Sequence, residues 1–499
     1  MTRTAWKLLA AGVLAWAASD ARGAPPAATQ AFAPDRHCRA DATLLDLSSR
    51  TEPEWYGLYV GDKKVGWMRT SAAVEKRDGK SVRVSREEML IEALVGQRKV
   101  RRQVTEERTY EPGAHGRLLS LKSAFTGDGG DRTLLVTCSA TTCKAEVSAP
   151  DGRRTVELPH PGETAEALEA SRLSALTCKT VSGPQLQSDD LRVKKMTSRY
   201  AGRSKVGGAG VEVPVSIVEE KEEGDRVAPR VLVADDGRIL ETRVGDGMVI
   251  KVEPAETARR LDVVDLFTTL RVPLPRSLPR DVPMAITFTL RGLPPGFDLD
   301  DERQRAVPGA AGETILTVTA RDFKGPDVPR GKPAPRGNVD QAATIEIDWE
   351  DPAIRKLADA TVGSTPTAWA AARKLQRLVH DRLEKVYGQS ADRASDVLRQ
   401  GKGDCTEHTR LFVALARAAG IPAREVKGLV YATYGQGGPG LYWHAWAEVK
   451  VGEAWIAVDP TFGQDVADAT HVALGRGTRQ DAIALVGSLA VTRVETRKP

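Results

Sequence analysis

The chain has 499 residues, of which 41% are hydrophobic and 28% are charged, an ordinary composition for a folded globular protein. This length exceeds what one hydrophobic core supports, and it predicts about three domains. The formal net charge is +5, from 72 basic and 67 acidic residues that are interspersed along the chain. Such a balance favours solubility and excludes the strongly basic surface that is typical of nucleic-acid-binding proteins.

The N-terminal residues 1–23 predict a secretory signal peptide. Arg3 and Lys7 provide the positive start, and residues 8–18 form an apolar run that is too short to span a bilayer. The segment 24–45 is rich in alanine and proline, and we interpret it as a tether. We therefore expect an exported protein, periplasmic or secreted, without a membrane span.

The cysteine count has to be considered together with export. The chain has five cysteines: Cys38, Cys138, Cys143, Cys178 and Cys405. An odd number in an oxidising compartment leaves one free thiol. Cys138 and Cys143 flank a short polar turn between apolar runs, so they could face each other across a hairpin and form a disulfide. Cys38 and Cys178 could form a second bridge, although nothing in the sequence fixes that pairing, and Cys405 is then left over.

Residues 46–272 predict a large antiparallel β-rich domain. Short alternating apolar runs separated by glycine-containing turns are typical of antiparallel strands. The predicted strand-and-turn units span 55–68, 81–86, 134–147, 211–217, 231–242 and 248–252. Residues 164–176 are the main helical candidate. Such a region could hold a partner in the cell envelope, or it could be a structural sheet without chemistry of its own.

The chain after the β-rich region divides into shorter segments. A cluster of prolines ends the first region, and strand-like runs at 285–291 and 313–319 predict a small β module over 284–324. The stretch 325–345 is rich in proline and glycine and predicts a linker. Residues 467–499 are assigned to a C-terminal β extension.

Residues 346–466 predict an α+β domain. Asp351 followed by Pro352 is a helix-start signal, because the first residue caps and the second fits the first helical position. Apolar residues repeat at helical spacing over 375–386 and again over 411–418. Strand patterns follow at 424–431, 441–450 and 455–458. Helices followed by an antiparallel sheet fit an α+β domain of ordinary size.

Three polar residues in this domain stand in the order of a nucleophilic acyl-transfer site. Cys405 lies where a glycine-containing loop turns into a predicted helix, and His444 and Asp459 follow it. The amides of a helix start carry partial positive charge, so this position favours the thiolate form of Cys405. Its own backbone amide could also donate to a tetrahedral oxyanion. A buried structural cysteine is the alternative, but it does not explain the glycines that flank the residue.

The strand register tests whether His444 and Asp459 can meet. If Lys450 lies opposite Trp455 across the predicted hairpin, alternation places His444 and Asp459 on the same face of the sheet. The two Cβ atoms are then about 7 Å apart, within reach of their side chains. Asp459 would fix the imidazole tautomer while the other ring nitrogen points at Cys405. A shift of one residue would separate the pair.

Other polar and aromatic residues near the site are weaker candidates. Trp443 and Trp446 could wall a substrate groove, although an aromatic residue on a half-buried strand is usually part of the core. His408 could be a rival base or a substrate contact, with helix packing as the alternative. The domain lacks the cysteine and histidine spacing of a metal site, so we expect no metal and no cofactor. The remaining histidines receive no role: His37, His115, His160, His380 and His471.

Four sequence motifs together resemble the transglutaminase-like superfamily. In chain order they are Gly403-Asp404-Cys405, the run 415–424, His444-Ala445-Trp446 and the run 455–461. The resemblance covers about residues 350–465 and implies a papain-like Cys-His-Asp core. It assigns Cys405 as nucleophile, His444 as base and Asp459 as the orienting group.

The resemblance also has departures. Animal-type transglutaminases have a tryptophan soon after the cysteine, where this chain has Thr406 and Glu407, and no calcium site of the kind they use is recognisable. The chain is more similar to the broad microbial branch, which includes amide hydrolases and crosslinking enzymes. Tyr387 and Gln389 are the candidates for a second oxyanion donor.

These observations predict an exported thiol acyltransferase that acts on peptide or protein amides through a thioester on Cys405. Hydrolysis by a peptidase or amidase is favoured over transamidation, because water is plentiful outside a cell and the sequence has no lysine-binding feature. The alternative is a catalytically inert transglutaminase-like module for binding or assembly in the cell envelope. Retention of Cys405, His444 and Asp459 argues against it, since an inert copy needs none of them.

Overall fold

The computed structural model describes Cys38 and residues 52–497, apart from short internal gaps. The gaps are 96–97, 114, 128–129, 150–151, 209–210, 224–226, 246, 280–283, 295–296, 298, 336, 345, 388–390, 392, 435–437 and 478–484. The predicted signal peptide and nearly all of the tether lie outside the described residues. The described part of the chain divides into two compact units: residues 52–93 and 100–264 with Cys38 form the first, and residues 94–99 and 265–497 form the second.

The first unit is built on one antiparallel sheet. Its described strands are β1 (Glu54–Val60), β2 (Lys63–Arg77), β3 (Lys80–Val95), β4 (Arg98–Tyr110), β5 (Leu118–Gly127), β6 (Arg132–Cys138), β7 (Thr142–Ala149), β8 (Gly152–Pro159), β9 (Val181–Leu186), β10 (Val193–Gly208), β11 (Val211–Glu222), β12 (Arg230–Ala234), β13 (Ile239–Val244) and β14 (Met248–Val252). The 14 strands follow the order β8-β7-β6-β5-β4-β3-β2-β1-β14-β13-β12-β11-β10-β9. Most neighbours in the sheet are also neighbours in sequence, as expected for strands joined by short hairpins. The predicted antiparallel β-rich region is therefore confirmed.

Three short helices accompany this sheet: α1 (Ala165–Leu168), α2 (Ala170–Thr177) and α3 (Ala255–Ala258). Thr164 caps α1 by accepting a hydrogen bond from the backbone N–H of Ala167. Every residue of α2 is buried, including Arg172, which forms an ion pair with Glu54 of β1. The helix predicted over 164–176 is present, divided in two at Glu169.

Two disulfides form within the first unit. Cys138 and Cys143 are directly paired across the β6–β7 hairpin and are bonded to each other. Cys38 and Cys178 form the second bridge, across a sequence separation of 140 residues. Cys405 is a free, buried thiol. The two bridges that the sequence allowed are both present.

The second unit contains the predicted α+β domain. Its helices are α4 (Leu266–Thr269), α5 (Pro352–Val362), α6 (Ala368–Arg382), α7 (Ala394–Gln400) and α8 (Cys405–Ala418), with a 3-10 turn at Ala310–Gly312. Its strands are β15 (Val272–Pro273), β16 (Ala285–Arg291), β17 (Gln304–Pro308), β18 (Thr314–Thr319), β19 (Glu384–Lys385), β20 (Lys402–Gly403), β21 (Ala423–Tyr434), β22 (Gly438–Val451), β23 (Ala454–Val458), β24 (His471–Arg476) and β25 (Ala490–Arg497). Asp351 caps α5 through its side chain, with Pro352 at the first helical position, as the sequence predicted. Helix α7 and the parallel pair β19–β20 were not predicted.

Helix α8 is the central helix of this domain. Its buried residues share one apolar core with α5, α6 and the strands β22 and β23. Asp404 and Glu407 form a capping box at its first turn, in which each side chain accepts a backbone N–H from the other end of the box. Gly403 is required here, because a Cβ atom at this position would lie 2.3 Å from the Cβ of Glu407. The glycine before the cap therefore permits the geometry that places Cys405 at the helix start.

The sheet beside α8 has the strand order β15-β22-β21-β24, and β23 pairs with β22. Lys450 lies opposite Trp455 in the β22–β23 hairpin, so the predicted register is confirmed. On its other side β22 pairs with β21, where His444 faces Gly428. Strand β24 comes from the segment predicted as a C-terminal extension, yet it completes this sheet. The domain boundaries predicted at 466 and 467 stay predictions.

A second small sheet in this unit has the order β17-β18-β16-β25. Arg303, just before β17, and Gln304, its first residue, contact the segment before β24 and β24 itself. Arg303 donates to the carbonyl oxygens of Ala467 and Asp468 at 3.0 and 2.6 Å. Gln304 exchanges hydrogen bonds with the backbone N–H and carbonyl of Ala473. The region predicted as a small β module thus positions the strand next to the site described below.

No helix in the described part of the chain combines the length and the apolar character that crossing a bilayer requires.

Substituting Gly428 by alanine should destabilise the second unit by about 1–3 kcal/mol, since overpacking in a well-packed core costs this much. A Cβ atom there would lie 2.0 Å from the carbonyl oxygen of Val472 and 2.7 Å from the Trp446 ring. Denaturant unfolding followed by tryptophan fluorescence measures the loss. The matched control is Thr433→Ala on the same strand, where the side chain is exposed and a change within about 0.5 kcal/mol is expected. Equal stability of the two variants would contradict the close approach.

Candidate active site

Cys405 is the first residue of α8, and its side chain lies against strand β22. The thiol is only 4% exposed. The backbone N–H of Ala445, the residue that follows His444, lies close enough to the sulfur to lower the pKa of the thiol. The fold thus brings the predicted nucleophile beside the predicted base, although 38 positions separate them in the sequence.

The electrostatic setting of Cys405 differs from the expectation based on the helix start. Burial is the main cause that raises the pKa of the Cys405 thiol well above its usual value, and the charge of Asp404 adds to it. The nearby backbone N–H of Ala445 acts in the opposite direction and is outweighed. The carboxyl groups that cap α8 occupy the positive end of the helix, so the helix start does not hold the sulfur ionised. The resting form of Cys405 is therefore the neutral thiol.

His444 on β22 is buried and held in one orientation. Its Nε2 donates to Oδ2 of Asp459 at 2.7 Å, as the register argument predicted. The ring of Phe462 stacks on the imidazole with 4.6 Å between centroids and an angle of 12°. Because Nε2–H donates to the carboxylate, Nδ1 is the nitrogen that accepts a proton in the neutral ring.

Asp459 is fully buried, and both of its carboxylate oxygens accept hydrogen bonds. Oδ1 accepts from the backbone N–H groups of Thr461 and Phe462 at 2.6 and 3.0 Å. Oδ2 accepts from His444 and, at 3.0 Å, from Nε2 of His471. Burial alone would raise the pKa of Asp459, but the charges and hydrogen bonds of the two histidines hold it well below its usual value. The carboxylate is therefore ionised at any physiological pH.

The turn after Asp459 is fixed to helix α6. Gln376, which is fully buried, donates to the Asp459 carbonyl at 3.1 Å, and His380 donates from Nδ1 to the Pro460 carbonyl at 3.3 Å. Arg373 and Arg377 both form ion pairs with Asp465 at 2.6 and 2.8 Å. These contacts fix the backbone of residues 459–465 and thereby the position of the Asp459 carboxylate.

His471, to which the sequence argument gave no role, belongs to this cluster. It is the first residue of β24, is fully buried, and contacts both Asp459 and Asp468. A signal was available in the sequence: a histidine that opens an apolar strand three residues after an aspartate needs polar partners. The pairing of β24 with β21, which brings it to Asp459, was not predicted.

The three weaker candidates are almost without exposed surface. Trp446 is fully buried in a small core cluster with Val426, and Trp443 is 2% exposed. His408 is fully buried, and its Nδ1 donates to the Asp404 carbonyl at 2.7 Å. Burial is the main cause that lowers the pKa of His408, so this ring is neutral. These positions suit packing, and a substrate contact at any of them stays a prediction.

The candidates for a second oxyanion donor lie in the segment before α8. The segment 384–386 runs beside 401–403: the backbone N–H of Val386 donates to the Gly403 carbonyl at 3.0 Å. Tyr387 is half-buried and follows directly. Gln389 lies outside the described residues, so the role of both stays a prediction.

The donor atoms of His444, Asp459 and His471 lie within 4.8 Å of one another, a spacing that a metal ion could use. Nε2 of His444 and Nε2 of His471 already donate to the same carboxylate oxygen, Oδ2 of Asp459, so hydrogen bonding accounts for the close spacing. Cys138 and Cys143 approach His160 at similar spacing, but these sulfurs are joined to each other.

The rate of Cys405 alkylation by iodoacetamide should rise about tenfold per pH unit between pH 6 and 9, because only the thiolate reacts and the thiol pKa is raised. Since the other four cysteines are in disulfides, non-reducing conditions restrict labelling to this residue. Intact-mass spectrometry measures the rate, and Cys405→Ser is the control that must stay unlabelled. A rate that is already constant above about pH 5 would show a resting thiolate–imidazolium pair instead.

Comparison with known proteins was made for the whole chain. The profile of the transglutaminase-like superfamily matches residues 355–460. Kyphoscoliosis peptidase of Mus musculus is 35% identical over 86 residues, which are 16% of this chain and 13% of that protein. The chain therefore spans only a small part of this curated relative.

Solved structures also match, among them the following two. A cysteine protease candidate from Cytophaga hutchinsonii shares 18% identity, with coverage of 43% of this chain and 86% of that one and a TM-score of 0.28. A beta-barrel-like protein of unknown function from Brucella abortus shares 10% identity, with coverage of 41% and 100% and a TM-score of 0.30. Scores of this size do not define the fold. The profile match, which includes Cys405, His444 and Asp459, carries the assignment: residues 355–460 form a domain of the transglutaminase-like superfamily.

Proposed function

We propose that the transglutaminase-like domain is a thiol acyltransferase that cleaves peptide or protein amides, with Cys405 as nucleophile, His444 as base and Asp459 as orienting group. One observation supports this more than any other. The sulfur of Cys405 lies near the backbone of Ala445, the residue next to His444, and His444 in turn donates to a buried, ionised Asp459. A nucleophile next to a base that a third group orients is the arrangement that acyl transfer requires.

The reaction follows from these positions. The thiol proton passes to Nδ1 of His444 as the sulfur attacks the amide carbonyl carbon, and a C–S bond forms. The backbone N–H of Cys405, at the first turn of α8, is placed to donate to the resulting oxyanion. The tetrahedral intermediate collapses as the C–N bond breaks, and His444 returns the proton to the leaving amine. Water then attacks the thioester, releases the acid and restores the thiol.

The raised pKa of the thiol sets the order of proton transfer. A neutral thiol avoids a separated charge pair in a buried site, which would be costly to maintain. Proton transfer therefore accompanies substrate attack rather than preceding it. The buried carboxylate of Asp459 stabilises the imidazolium that this step creates.

The inert binding module proposed as the alternative explains less of the geometry. Asp459 is buried, accepts four hydrogen bonds and is mounted on a turn that four residues of α6 secure. A platform without chemistry has no use for a fixed imidazole next to a free thiol. The cluster therefore favours catalysis.

Export stays part of the proposal and receives support from the cysteines. Disulfides persist in oxidising compartments and are rare in the cytosol of most organisms. The two bridges of the first unit, together with the signal-like residues 1–23, favour a periplasmic or secreted location.

The β-rich unit is proposed to hold an envelope partner. Strands β2 to β8 border an open cavity of about 1010 Å³ whose lining carries both charge signs, including Arg69, Arg86, Glu107 and Lys122. A cavity of this size has room for a peptide or a small molecule. This role is separate from the chemistry proposed for the second unit.

Replacing Cys405 by alanine should abolish turnover of any peptide amide that the wild type cleaves, since no other group can form the thioester. Asp459→Asn should lower kcat by about 10²- to 10⁴-fold, because the amide no longer selects the imidazole tautomer. Both are measured with a peptide library and mass spectrometry. Unfolding curves should show that the Cys405 variant is folded, and Thr433→Ala should retain full activity. Undiminished turnover by Cys405→Ala would refute the proposal.

Hydrolysis and transamidation can be separated by the fate of the acyl group. With a primary amine added, we expect products that carry oxygen-18 from labelled water rather than amine adducts. Liquid chromatography with mass spectrometry quantifies both. Adducts that dominate at millimolar amine would assign the protein to the crosslinking branch while leaving the role of Cys405 intact.

A further inference from the structure

His471 occupies a position that the proposed reaction does not use. It is fully buried, and its Nε2 donates to Oδ2 of Asp459, the same oxygen that accepts from His444. Its Nδ1 lies 3.1 Å from Oδ1 of Asp468. The two imidazole centroids, of His444 and His471, are 5.7 Å apart. A second histidine therefore contacts the orienting carboxylate, on the same oxygen as His444.

The hydrogen bonds of His471 define its protonation state. A neutral imidazole has one donor and one acceptor nitrogen, and an ionised carboxylate can only accept. Here both ring nitrogens contact a carboxylate oxygen, so both must carry a proton. The ring is then an imidazolium between two carboxylates. Burial would lower the pKa of His471, but its hydrogen bonds to Asp459 and Asp468 outweigh that effect and raise it.

Asp468 is built to keep this charge in place. Its Oδ1 also accepts from the backbone N–H of Thr470 at 2.8 Å, and its Oδ2 accepts from Gln464 at 2.8 Å. Burial would raise the pKa of Asp468, yet the hydrogen bond and charge of His471 hold it well below its usual value. The buried guanidinium of Arg303 holds the Asp468 backbone carbonyl. The imidazolium of His471 is therefore held in place by Asp468, which is itself fixed by Thr470, Gln464 and Arg303.

We propose that His471 is a positioning residue of the acyl-transfer site, held as a permanent imidazolium by Asp468 so that it neutralises part of the Asp459 charge that acts on His444. The inference rests on the proposed function, because its effect is exerted through the base of that reaction. Both imidazoles contact Oδ2 of Asp459, so the charge of His471 opposes the negative charge that Asp459 presents to His444. The proton that His444 takes from Cys405 is then passed to the leaving amine against a weaker attraction.

The titratable groups around His444 all bear on this balance. Asp459 faces it from the turn after β23, and His471 with Asp468 faces that carboxylate from the start of β24. Cys405 lies beside it at the start of α8, where Asp404 and Glu407 stand. Lys385 lies 5.5 Å from the centre of the Phe462 ring that stacks on His444. Of these groups, His471 is the cation that contacts the orienting carboxylate directly.

The test is the pH dependence of kcat/KM for His471→Gln. The glutamine amide keeps a donor towards Asp459 but carries no charge, so the acid limb of the profile should move up by about one pH unit, and kcat at pH 7 should fall. KM should change little, because His471 has no exposed surface for substrate. His160→Gln, the same replacement at a histidine in the first unit, should leave the limb in place. An acid limb unchanged in His471→Gln would overturn the inference.

A second measurement is independent of turnover and of the glutamine variant. In Cys405→Ala, nitrogen-15 NMR of the imidazoles should show both nitrogens of His471 protonated across pH 5 to 8. A neutral His471 ring at pH 7 would overturn the inference even if the enzyme is active. If His471→Gln does not fold, Asp468→Asn should shift the acid limb in the same direction by a smaller amount. An inactive wild type whose His471 is an imidazolium would refute the proposed function but not the charge assignment.

Discussion

The buried carboxylate of Asp459 is the group on which the rest of the candidate site depends. An ionised carboxylate without partners would be too costly to bury, so the fold must supply a donor for each of its lone pairs. It does so from three places: the histidine of β22, two amides of the following turn, and the histidine of β24. His444 and the first residue of β24, His471, both contribute to satisfying this one charge.

Segments that are distant in the sequence converge to meet that requirement. Helix α6 holds the turn after Asp459 through Gln376 and His380, and the start of β17 holds the turn before β24 through Arg303. The small β module therefore holds β24 in place, and β24 in turn brings His471 to Asp459. Such supporting contacts matter because catalysis depends on side chains held within a fraction of an ångström.

The site also shows how charge is distributed between two proton-transfer groups. Burial keeps the Cys405 thiol neutral, and the capping carboxyls of α8 reinforce this. The carboxylate of Asp459 contacts two imidazoles, those of His444 and His471. The His471 ring is proposed to remain protonated and so to offset part of the negative charge. A base that faces a partly neutralised carboxylate is less strongly held in its protonated form, and acyl transfer needs a base that both accepts and returns a proton. The same balance explains why a cluster of ionisable groups is tolerated in the core.

The sequence by itself determined the local features of this protein. Cys405 at a capped helix start, the register that pairs Lys450 with Trp455, and the hairpin bridge of Cys138 with Cys143 each depend on residues close together in the chain. Only the tertiary structure decided that β24 lies beside β21 and brings His471 to Asp459, because strand pairing across a long connection leaves no periodic signal. It also decided the protonation of Cys405, since burial depends on everything packed around the sulfur, whereas a helix start is visible in sequence alone.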